Sequence, residues 1–422
     1  MSKRAVNRLQ NLALILLSCS ALLLLSRIPL FGGNWASQVQ AFLSHPGDIL
    51  EGSGGDLTGA VGAVHIVVTS DSEYGRYCQL YAPTDGALFQ QVGPLFQEAL
   101  GSATEVGATA DKTLQEALGS PGIYIDLTTE LPLAVVAAWL GEETSYDRSV
   151  RAMALTTEEA DSAVLYLCGG DGSIFRYYTA LPLSAVQAAA AAYPSNSGAF
   201  AFESNYATLA PYTVLSGQPV SAPMVQAALP AGYSSYNLLT ALDFNAHTGF
   251  RYQESSGAEV ITESPRTLRL GPDGTVSYSG SEEAASALYR VSASGEAPTA
   301  VEALRAGLEL ASALTDATGS APLYLRGMEA DGDGWQLSFG YQAAGLPVFF
   351  PDGGEALSVT ITRQTIVSFT YRCRSYTPLE EDSSLLPAAM AMAIASLHPG
   401  SGLSLGYIDG GGDALSAVWL EG

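Results

Sequence analysis

The stretch "TAVEALRAGLELASALTDATG", residues 299–319, has the pattern of an amphipathic helix with a marked start and end. Thr299 and Glu302 have the spacing of a capping box, and Gly319 is the residue type that most often ends a helix. Five apolar residues recur on one face: Val301, Leu304, Leu308, Ala311 and Leu314. The next motif, "WQLSFGY" at residues 335–341, alternates with period two, as a half-buried strand does. A helix followed by alternating strands predicts an α+β module in which the helix packs on an antiparallel sheet.

Strand patterns continue on both sides of this helix. Downstream, the sheet is predicted to extend through "LSVTIT" and "TIVSFTY", and to end with "LSLGYID" and "ALSAVWL". A second helical stripe lies between them: Leu386, Met390, Ile394 and Leu397. We interpret its methionine as ordinary core filling and not as part of a cofactor site. Upstream, short β-rich runs alternate with turn residues, as in an antiparallel meander. These patterns predict a central β-rich module at 197–293 and a C-terminal α+β module at 296–422.

The region before these modules contains two similar segments. They are "IYIDLTTELPLAVVAAWLG", from Ile123, and "IFRYYTALPLSAVQAAAAAY", from Ile174. Each has a β-rich run, then Leu-Pro-Leu, then an alanine-rich helix former, so each predicts strand, turn and helix. A duplication and a chance similarity of two helix starts both explain the likeness. We predict an N-terminal mixed α/β domain at 61–196, preceded by a Gly/Ser-rich flexible spacer at 32–60.

The apolar run at residues 11–31 is long enough to cross a membrane as one helix. Lys3, Arg4 and Arg8 precede it, which predicts a cytoplasmic tail at 1–10 and an extracytoplasmic location for the rest of the chain. A cleaved signal peptide is the main alternative, but its apolar region is usually shorter and a small-residue cleavage site follows it directly. Four residues of the span lie on one face and form a possible transmembrane interface: Asn11, Ser18, Ala21 and Leu25.

The charge distribution restricts the function. Of the 18 Lys and Arg residues, four lie before residue 32, whereas all 42 acidic residues follow it. The formal net charge of −24 for the whole chain therefore becomes −28 for the extracytoplasmic part. Such a surface repels phosphate backbones, so nucleic-acid binding is disfavoured.

The four cysteines do not form a disulfide framework. Cys19 lies in the predicted membrane helix, which leaves an odd number outside. An extracytoplasmic location permits a disulfide, and Cys78 and Cys168 are the possible pair. The alternative is three buried thiols, with Cys373 as the third. No CxxC motif occurs, so a zinc ribbon is not indicated.

Motifs for catalysis, metal binding or a cofactor are not found. "GLSLG", residues 402–406, has the G-x-S-x-G spacing of a nucleophile elbow, but no histidine follows it and its pattern is that of a strand. The four histidines share no metal-ligand spacing and are interpreted as surface residues. "DGDGW", from Asp331, resembles the start of a calcium loop but lacks its later ligands, so a hairpin turn is predicted.

Three segments resemble the YycH/YycI family of membrane-anchored regulatory proteins of Gram-positive bacteria. The first is "LTALDFNAHTGFRYQESSGAEVITESPRTLRLGPDGTVSYSG", residues 239–280. The second combines "LSFGYQAAGLPVFF" with "LSVTITRQTIVSFTYRCRSYTPL", and the third is the terminal "LSLGYIDGGGDALSAVWLEG". The likeness covers the anchor and roughly residues 235–422, and region 60–200 is similar only in position.

The resemblance implies a non-enzymatic accessory protein at the cell membrane, without catalytic residues or cofactors. Its expected partners are a sensor histidine kinase of cell-wall two-component signalling and a paralogous accessory protein. The contacts are expected to involve both the transmembrane helix and the ectodomain. Two alternatives from other classes are an anchored cell-wall hydrolase and a module that binds a cell-wall ligand.

Overall fold

The computed structural model describes residue 57 and residues 60–70, 76–159, 161–247, 250–281, 287–292 and 297–421. The predicted membrane helix at 11–31, with its interface residues Asn11, Ser18, Ala21 and Leu25, lies outside these ranges. Within them, no helix is long and apolar enough to span a membrane.

The described ranges contain α-helices and mainly antiparallel sheets, so the predicted α+β class is confirmed for this part of the chain. The helices are α1 (Ala87–Gly101), α2 (Asp111–Ala117), α3 (Leu133–Leu140), α4 (Leu183–Ala191), α5 (Ser235–Ala241), α6 (Ala300–Thr318) and α7 (Ala388–Ala395). Both Leu-Pro-Leu segments enter a helix as predicted, since α3 follows Pro132 and α4 follows Pro182.

Seven antiparallel strands form the first sheet. They are β1 (Val64–Thr69), β2 (Arg76–Ala82), β3 (Thr104–Ala108), β4 (Gly122–Pro132), β5 (Ser149–Thr156), β6 (Val164–Cys168) and β7 (Ile174–Tyr178). Their order across the sheet is β2-β1-β4-β5-β6-β7-β3. Two small sheets follow. One contains β8 (Ala199–Phe200) and β9 (Val214–Leu215), and the other β10 (Pro223–Ala228), β20 (Ser375–Asp382) and β22 (Ala414–Leu415).

The first sheet is covered on both faces, which explains why β1 and β6 are almost continuous runs of buried residues. Helices α1, α3 and α4 cover one face, where Ile66 and Ile125 lie in the main core. Helix α2 and the segment that carries β8 and β9 cover the other face, where Val67 packs. Because successive strand residues point to opposite faces, His65 lies on the same face as Val67.

Eleven strands form the large sheet. They are β11 (Arg251–Gln253), β12 (Glu259–Glu263), β13 (Arg266–Leu270), β14 (Thr275–Ser279), β15 (Leu323–Asp331), β16 (Gly334–Ala343), β17 (Leu346–Phe349), β18 (Leu357–Thr362), β19 (Thr365–Arg372), β21 (Leu403–Ile408) and β23 (Ala417–Glu421). Neighbouring strands are antiparallel, except that β17 pairs with β21 in parallel. The two predicted modules share this sheet, because β14 of the central module pairs with β19 of the C-terminal module. Residues 293–296, at their predicted boundary, lie outside the described ranges.

Helix α6 has the predicted ends. Thr299 Oγ1 accepts a hydrogen bond from the Glu302 N–H at 3.3 Å, Glu302 Oε2 accepts from the Thr299 N–H at 2.8 Å, and Gly319 ends the helix with φ +71°. The predicted buried face is partly wrong, because Val301 and Leu308 are only half-buried and lie at its edge. Gly307 is among the buried residues of α6.

Gly307 allows α6 to approach the large sheet closely. A Cβ atom at Gly307 would lie 3.0 Å from Leu337 Cδ2 and 3.1 Å from Phe339 Cζ, both on β16. Leu337, Phe339 and Tyr341 are fully buried and Trp335 is half-buried, so the predicted alternation of β16 is confirmed. The sheet face under α6 therefore carries large side chains, and the helix fits against it because position 307 has no side chain.

Four large apolar side chains of helix α7 and its flanks are exposed. Leu386, Met390, Ile394 and Leu397 are 48%, 53%, 48% and 74% exposed, whereas Ala391, Met392 and Ala395 are buried. The interpretation of Met390 as core filling is therefore wrong. We call Leu386, Met390, Ile394 and Leu397 the outer face of α7.

We predict that Gly307→Val destabilises the fold by about 1–3 kcal/mol, because added core volume displaces Leu337 and Phe339. The control is Arg305→Val, which puts the same β-branched residue at an exposed position of α6. The free energies of unfolding are measured by denaturant titration. Equal losses for the two variants would show that helix propensity, not packing, explains the effect.

Candidate functional site

A cleft lies between the first sheet, helix α7 and the end of the large sheet. It has room of about 20 Å³ for water-sized molecules, within about 350 Å³ of space between its walls that includes open solvent. The lining residues come from β1, β2, β9, α7, β21, β23 and the adjoining turns: His65, Leu80, Tyr81, Val214, Leu215, Ser216, Ala388, Met392, Leu403, Ser404, Leu405 and Trp419. The cleft therefore collects residues that are more than 300 positions apart in the sequence.

His65 is the buried titratable group of this cleft, with only 9% of the residue exposed. It is paired across β1 and β4 with Asp126, and His65 Nδ1 lies 4.0 Å from Asp126 Oδ2. Its Nε2 is buried and has no hydrogen-bond partner in the described part of the chain. A buried polar atom without a protein partner is costly and needs an explanation, such as a bound water molecule or another ligand.

The charge state of His65 follows from its surroundings. Burial lowers the pKa of the imidazole below its ordinary value of 6.5, and Arg151 lowers it further, against the opposing effect of the Asp126 carboxylate. The imidazole is therefore neutral at pH 7. Asp126 Oδ1 accepts a hydrogen bond from the Thr128 N–H at 2.7 Å and lies 3.6 Å from Arg151 Nε, so its negative charge is partly compensated.

Tyr81 sits at an irregularity between β1 and β2. The register shifts between Val64 and Ile66, and Tyr81 has φ +52°, a conformation that bulky residues rarely adopt. Its ring meets the His65 ring edge-on at 4.7 Å, and its Oη accepts a hydrogen bond from the Leu405 N–H at 2.6 Å. Burial raises the pKa of Tyr81 to about 12, so the phenol stays neutral. Bulges and strained residues of this kind occur often at functional sites.

His65, Asp126 and Ser404 are the residue types of a catalytic triad, but they do not form one here. The 4.0 Å between His65 Nδ1 and Asp126 Oδ2 exceeds hydrogen-bond length, and His65 Nε2 has no bond to the Ser404 hydroxyl. Ser404 lies inside β21, as the strand prediction for "GLSLG" requires, and its Oγ donates to Leu420 O at 3.5 Å. A strand position lacks the strand-to-helix turn of a nucleophile elbow.

Helix α7 forms one wall of the cleft with its inner side. Ala388 and Met392 line the cleft, and Met392 and Ala395 pack in a small apolar cluster with Leu209 and Leu215. The outer face of α7 points away from this cluster. The run 383–397 has no charged residue, and segments 201–216 and 375–421 contain no Lys or Arg. The outer face of α7 is therefore apolar, and segments 201–216 and 375–421 place no lysine or arginine beside it.

The interpretation of the histidines as surface residues is wrong for His65, which is buried. His247 and His398 are exposed as expected. His45 lies outside the described ranges. An isolated polar residue inside the apolar run "VHIVVTS" was the available signal for His65. Tyr81 and Leu405 gave no comparable signal, because their contact depends on two strands that are distant in sequence.

The possible Cys78–Cys168 disulfide is not formed. Cys78, Cys168 and Cys373 are free, buried thiols. Cys78 lies on β2 and Cys168 on β6, with three strands between them. At about 4.8 Å per strand this separates the thiols by roughly 19 Å, far beyond disulfide geometry.

No group of side chains in the described ranges could hold a metal ion. The calcium-like "DGDGW" forms a hairpin turn between β15 and β16, as predicted, with Gly332 at φ +57°. Comparison with protein-family models, with curated proteins and with solved structures gave no match.

We predict that Tyr81→Phe destabilises the fold by about 1–3 kcal/mol, because the buried Leu405 N–H loses its acceptor. The matched control is Tyr278→Phe, since the buried Tyr278 hydroxyl has no hydrogen-bond partner among the described residues. Removing it should leave stability unchanged or slightly increased. Thermal and denaturant unfolding of both variants measure the difference, and equal stabilities would show that the Leu405 N–H is satisfied in another way.

Proposed function

We propose that this protein is a non-enzymatic accessory protein, anchored in the cell membrane by one helix with its N-terminus in the cytoplasm. Its extracytoplasmic part regulates a sensor histidine kinase of two-component signalling in cell-wall homeostasis. A paralogous accessory protein is the second partner in this proposal. Support comes from the predicted anchor at 11–31, the acidic folded part beyond it and the family resemblance of the sequence.

The observation that carries the proposal is the outer face of α7. Four large apolar side chains lie on one side of this helix and its flanks, and each is about half exposed or more. Single exposed apolar residues are ordinary, but a row of them marks an interaction surface. Full burial of an exposed leucine, isoleucine or methionine side chain contributes about 1.5–3 kcal/mol, and a side chain that is already half buried contributes about half of that before the costs of association are subtracted.

The charges near α7 favour a protein partner over a lipid surface. Glu380, Glu381 and Asp382 are exposed just before the helix, and Glu421 is exposed near its end, where it pairs with His398. No lysine or arginine of segments 201–216 and 375–421 compensates them. Anionic lipid head groups are repelled by such a rim, whereas a partner with an apolar strip and basic neighbours is attracted.

We predict that Ile394→Glu weakens the association with the co-expressed sensor kinase at least tenfold, because a carboxylate replaces an apolar contact. The matched control is Val106→Glu on β3, since Val106 and Ile394 are both 48% exposed. β3 forms the edge of the first sheet opposite to β2. Crosslinking yield in membranes and kinase autophosphorylation are both measured.

Both measurements should change for Ile394→Glu and stay unchanged for Val106→Glu. If Ile394→Glu retains normal crosslinking and normal kinase output, α7 is not the contact surface. If the wild-type protein does not alter kinase output either, the proposed function itself is wrong.

A second prediction concerns the membrane span. Replacing residues 9–31 with an unrelated leucine-rich anchor should reduce regulation of the kinase, because helices in lipid associate through small and polar residues such as Ser18 and Ala21. One interhelical hydrogen bond contributes only about 1 kcal/mol, so we expect partial loss. The surface amount of the protein serves as the control. Unchanged regulation would make the span a tether.

A further inference from the structure

Strand β11, at one end of the large sheet, has an edge without a partner strand in the described ranges. β11 pairs with β12 alone, and no irregularity interrupts this pairing. The Thr262 N–H donates to Phe250 O at 3.0 Å. The Glu254 N–H donates to Ala258 O at 2.8 Å. The pairing therefore extends one residue beyond each end of β11, and residues 250–254 form a regular edge.

The backbone groups of this edge alternate in direction. In an antiparallel pair, every second residue exchanges its N–H and C=O groups with the partner strand. Phe250 and Glu254 face β12 in this way, and so does Tyr252 between them. The N–H and C=O groups of Arg251 and Gln253 therefore point away from β12, where no described strand pairs with them. A further strand can be added at this edge.

Two aromatic side chains lie beside this edge. Phe250 and Tyr252 are two residues apart and therefore lie on the same face of the sheet. They are 77% and 58% exposed. Soluble proteins usually protect a sheet edge with charges, prolines or bulges. Exposed aromatic rings beside a regular edge indicate an interaction surface instead.

The charges at this edge allow a second copy of the chain to approach. The chain has a formal net charge of −24, so two copies repel each other over most of their surface. Residues 250–281, which contain β11–β14, have three arginines and four acidic residues. Arg251 forms an ion pair with Glu259, and Arg269 forms one with Glu254. The edge is therefore almost neutral, and its charges are compensated within each copy.

Antiparallel pairing of two copies with Tyr252 on a two-fold axis brings complementary residues together. Arg251 then lies opposite Gln253 of the second copy, and these two residues exchange both N–H···O bonds. Tyr252 lies opposite its own counterpart, with Phe250 of the second copy on the diagonal, within reach of aromatic side chains. Glu254 lies opposite Phe250. No like charges are opposed, and the aromatic rings of both copies form one cluster.

We propose that two copies of this chain pair antiparallel through their β11 strands, with Tyr252 on the two-fold axis. The large sheet then continues from one copy into the other, and the interface uses the same surface of both copies. This inference does not depend on the proposed signalling function, because it involves neither α7 nor the predicted anchor.

The first test is a disulfide across the two-fold axis. The full-length chain in membranes carries Cys19→Ser, which removes the thiol of the predicted span, and Tyr252→Cys; the three described cysteines are buried. Opposed residues that are not hydrogen-bonded have Cα atoms about 4.5 Å apart, which is within the range of a disulfide. Oxidation with copper phenanthroline should therefore give a product of twice the mass of the chain.

The control for this test is Tyr178→Cys in the same Cys19→Ser chain, because Tyr178 on β7 of the first sheet is 46% exposed. We expect about tenfold more linked dimer from Tyr252→Cys than from Tyr178→Cys, since only the former places two thiols at disulfide distance. The yields are measured on non-reducing gels.

The second test removes the outward N–H of Gln253. In the chain with Tyr252→Cys, Gln253→Pro should lower the yield of linked dimer about tenfold, because each copy loses one hydrogen bond to the other. The native pairing with β12 is retained, since this N–H points away from β12 and proline is tolerated on edge strands. Gln253→Ala removes the same side chain but keeps the N–H, so it should leave the yield unchanged.

Three results would each overturn the proposal. The first is a yield of linked dimer from Tyr252→Cys no higher than that from Tyr178→Cys. The second is an equal yield with Gln253→Pro and Gln253→Ala. The third is a linked product whose mass is not twice that of the chain, which would assign the edge to a different protein.

Discussion

The hydrogen bond from the Leu405 N–H to Tyr81 Oη joins the first sheet to the large sheet, across 324 positions of the sequence. β21 pairs with β17 on one side and with β23 on the other. The bond therefore connects β2 to the strands at this end of the large sheet. A second hydrogen bond joins the segment just before β1 to β15 of the large sheet, where the Leu325 N–H donates to Ala60 O at 2.8 Å. The cleft has walls from both sheets, and the bond between Tyr81 and Leu405 joins two of these walls directly.

Local rules were sufficient where a side chain interacts with its own segment. The caps of α6 and the alternation of β16 were predicted because a capping box and a period of two are read from neighbouring residues. The pairing of β14 with β19 was not predicted, since strands about 90 residues apart meet only once the topology is set. Gly307 was missed for a similar reason. A small residue is needed there because Leu337 and Phe339 of another element lie against it.

The candidate site could not be predicted from local patterns either. His65 is buried because the segment at 201–216 covers the second face of the first sheet, and nothing near residue 65 indicates that cover.

The orientation of α7 could not be predicted for a different reason. Helical periodicity groups Leu386, Met390, Ile394 and Leu397 on one side, but it does not say whether that side faces the core. Here Met392 and Ala395 pack beside Leu209 and Leu215, and the side with Leu386, Met390, Ile394 and Leu397 faces solvent.

The shortness of α7 has a kinetic consequence. A helix of eight residues is too short to persist alone in water, so its stability comes from its contacts. Tyr206 Oη donates to Ala389 O of the helix at 3.4 Å, and the flanking carbonyls of Leu386 and Ser396 accept from Trp419 Nε1 at 2.9 Å and Thr208 Oγ1 at 3.0 Å. The apolar cluster below the helix is small. Local opening of α7 therefore costs less free energy than unfolding of the whole protein. Amide hydrogens of α7 should then exchange with solvent through this local opening, at a rate that does not require unfolding of the whole protein.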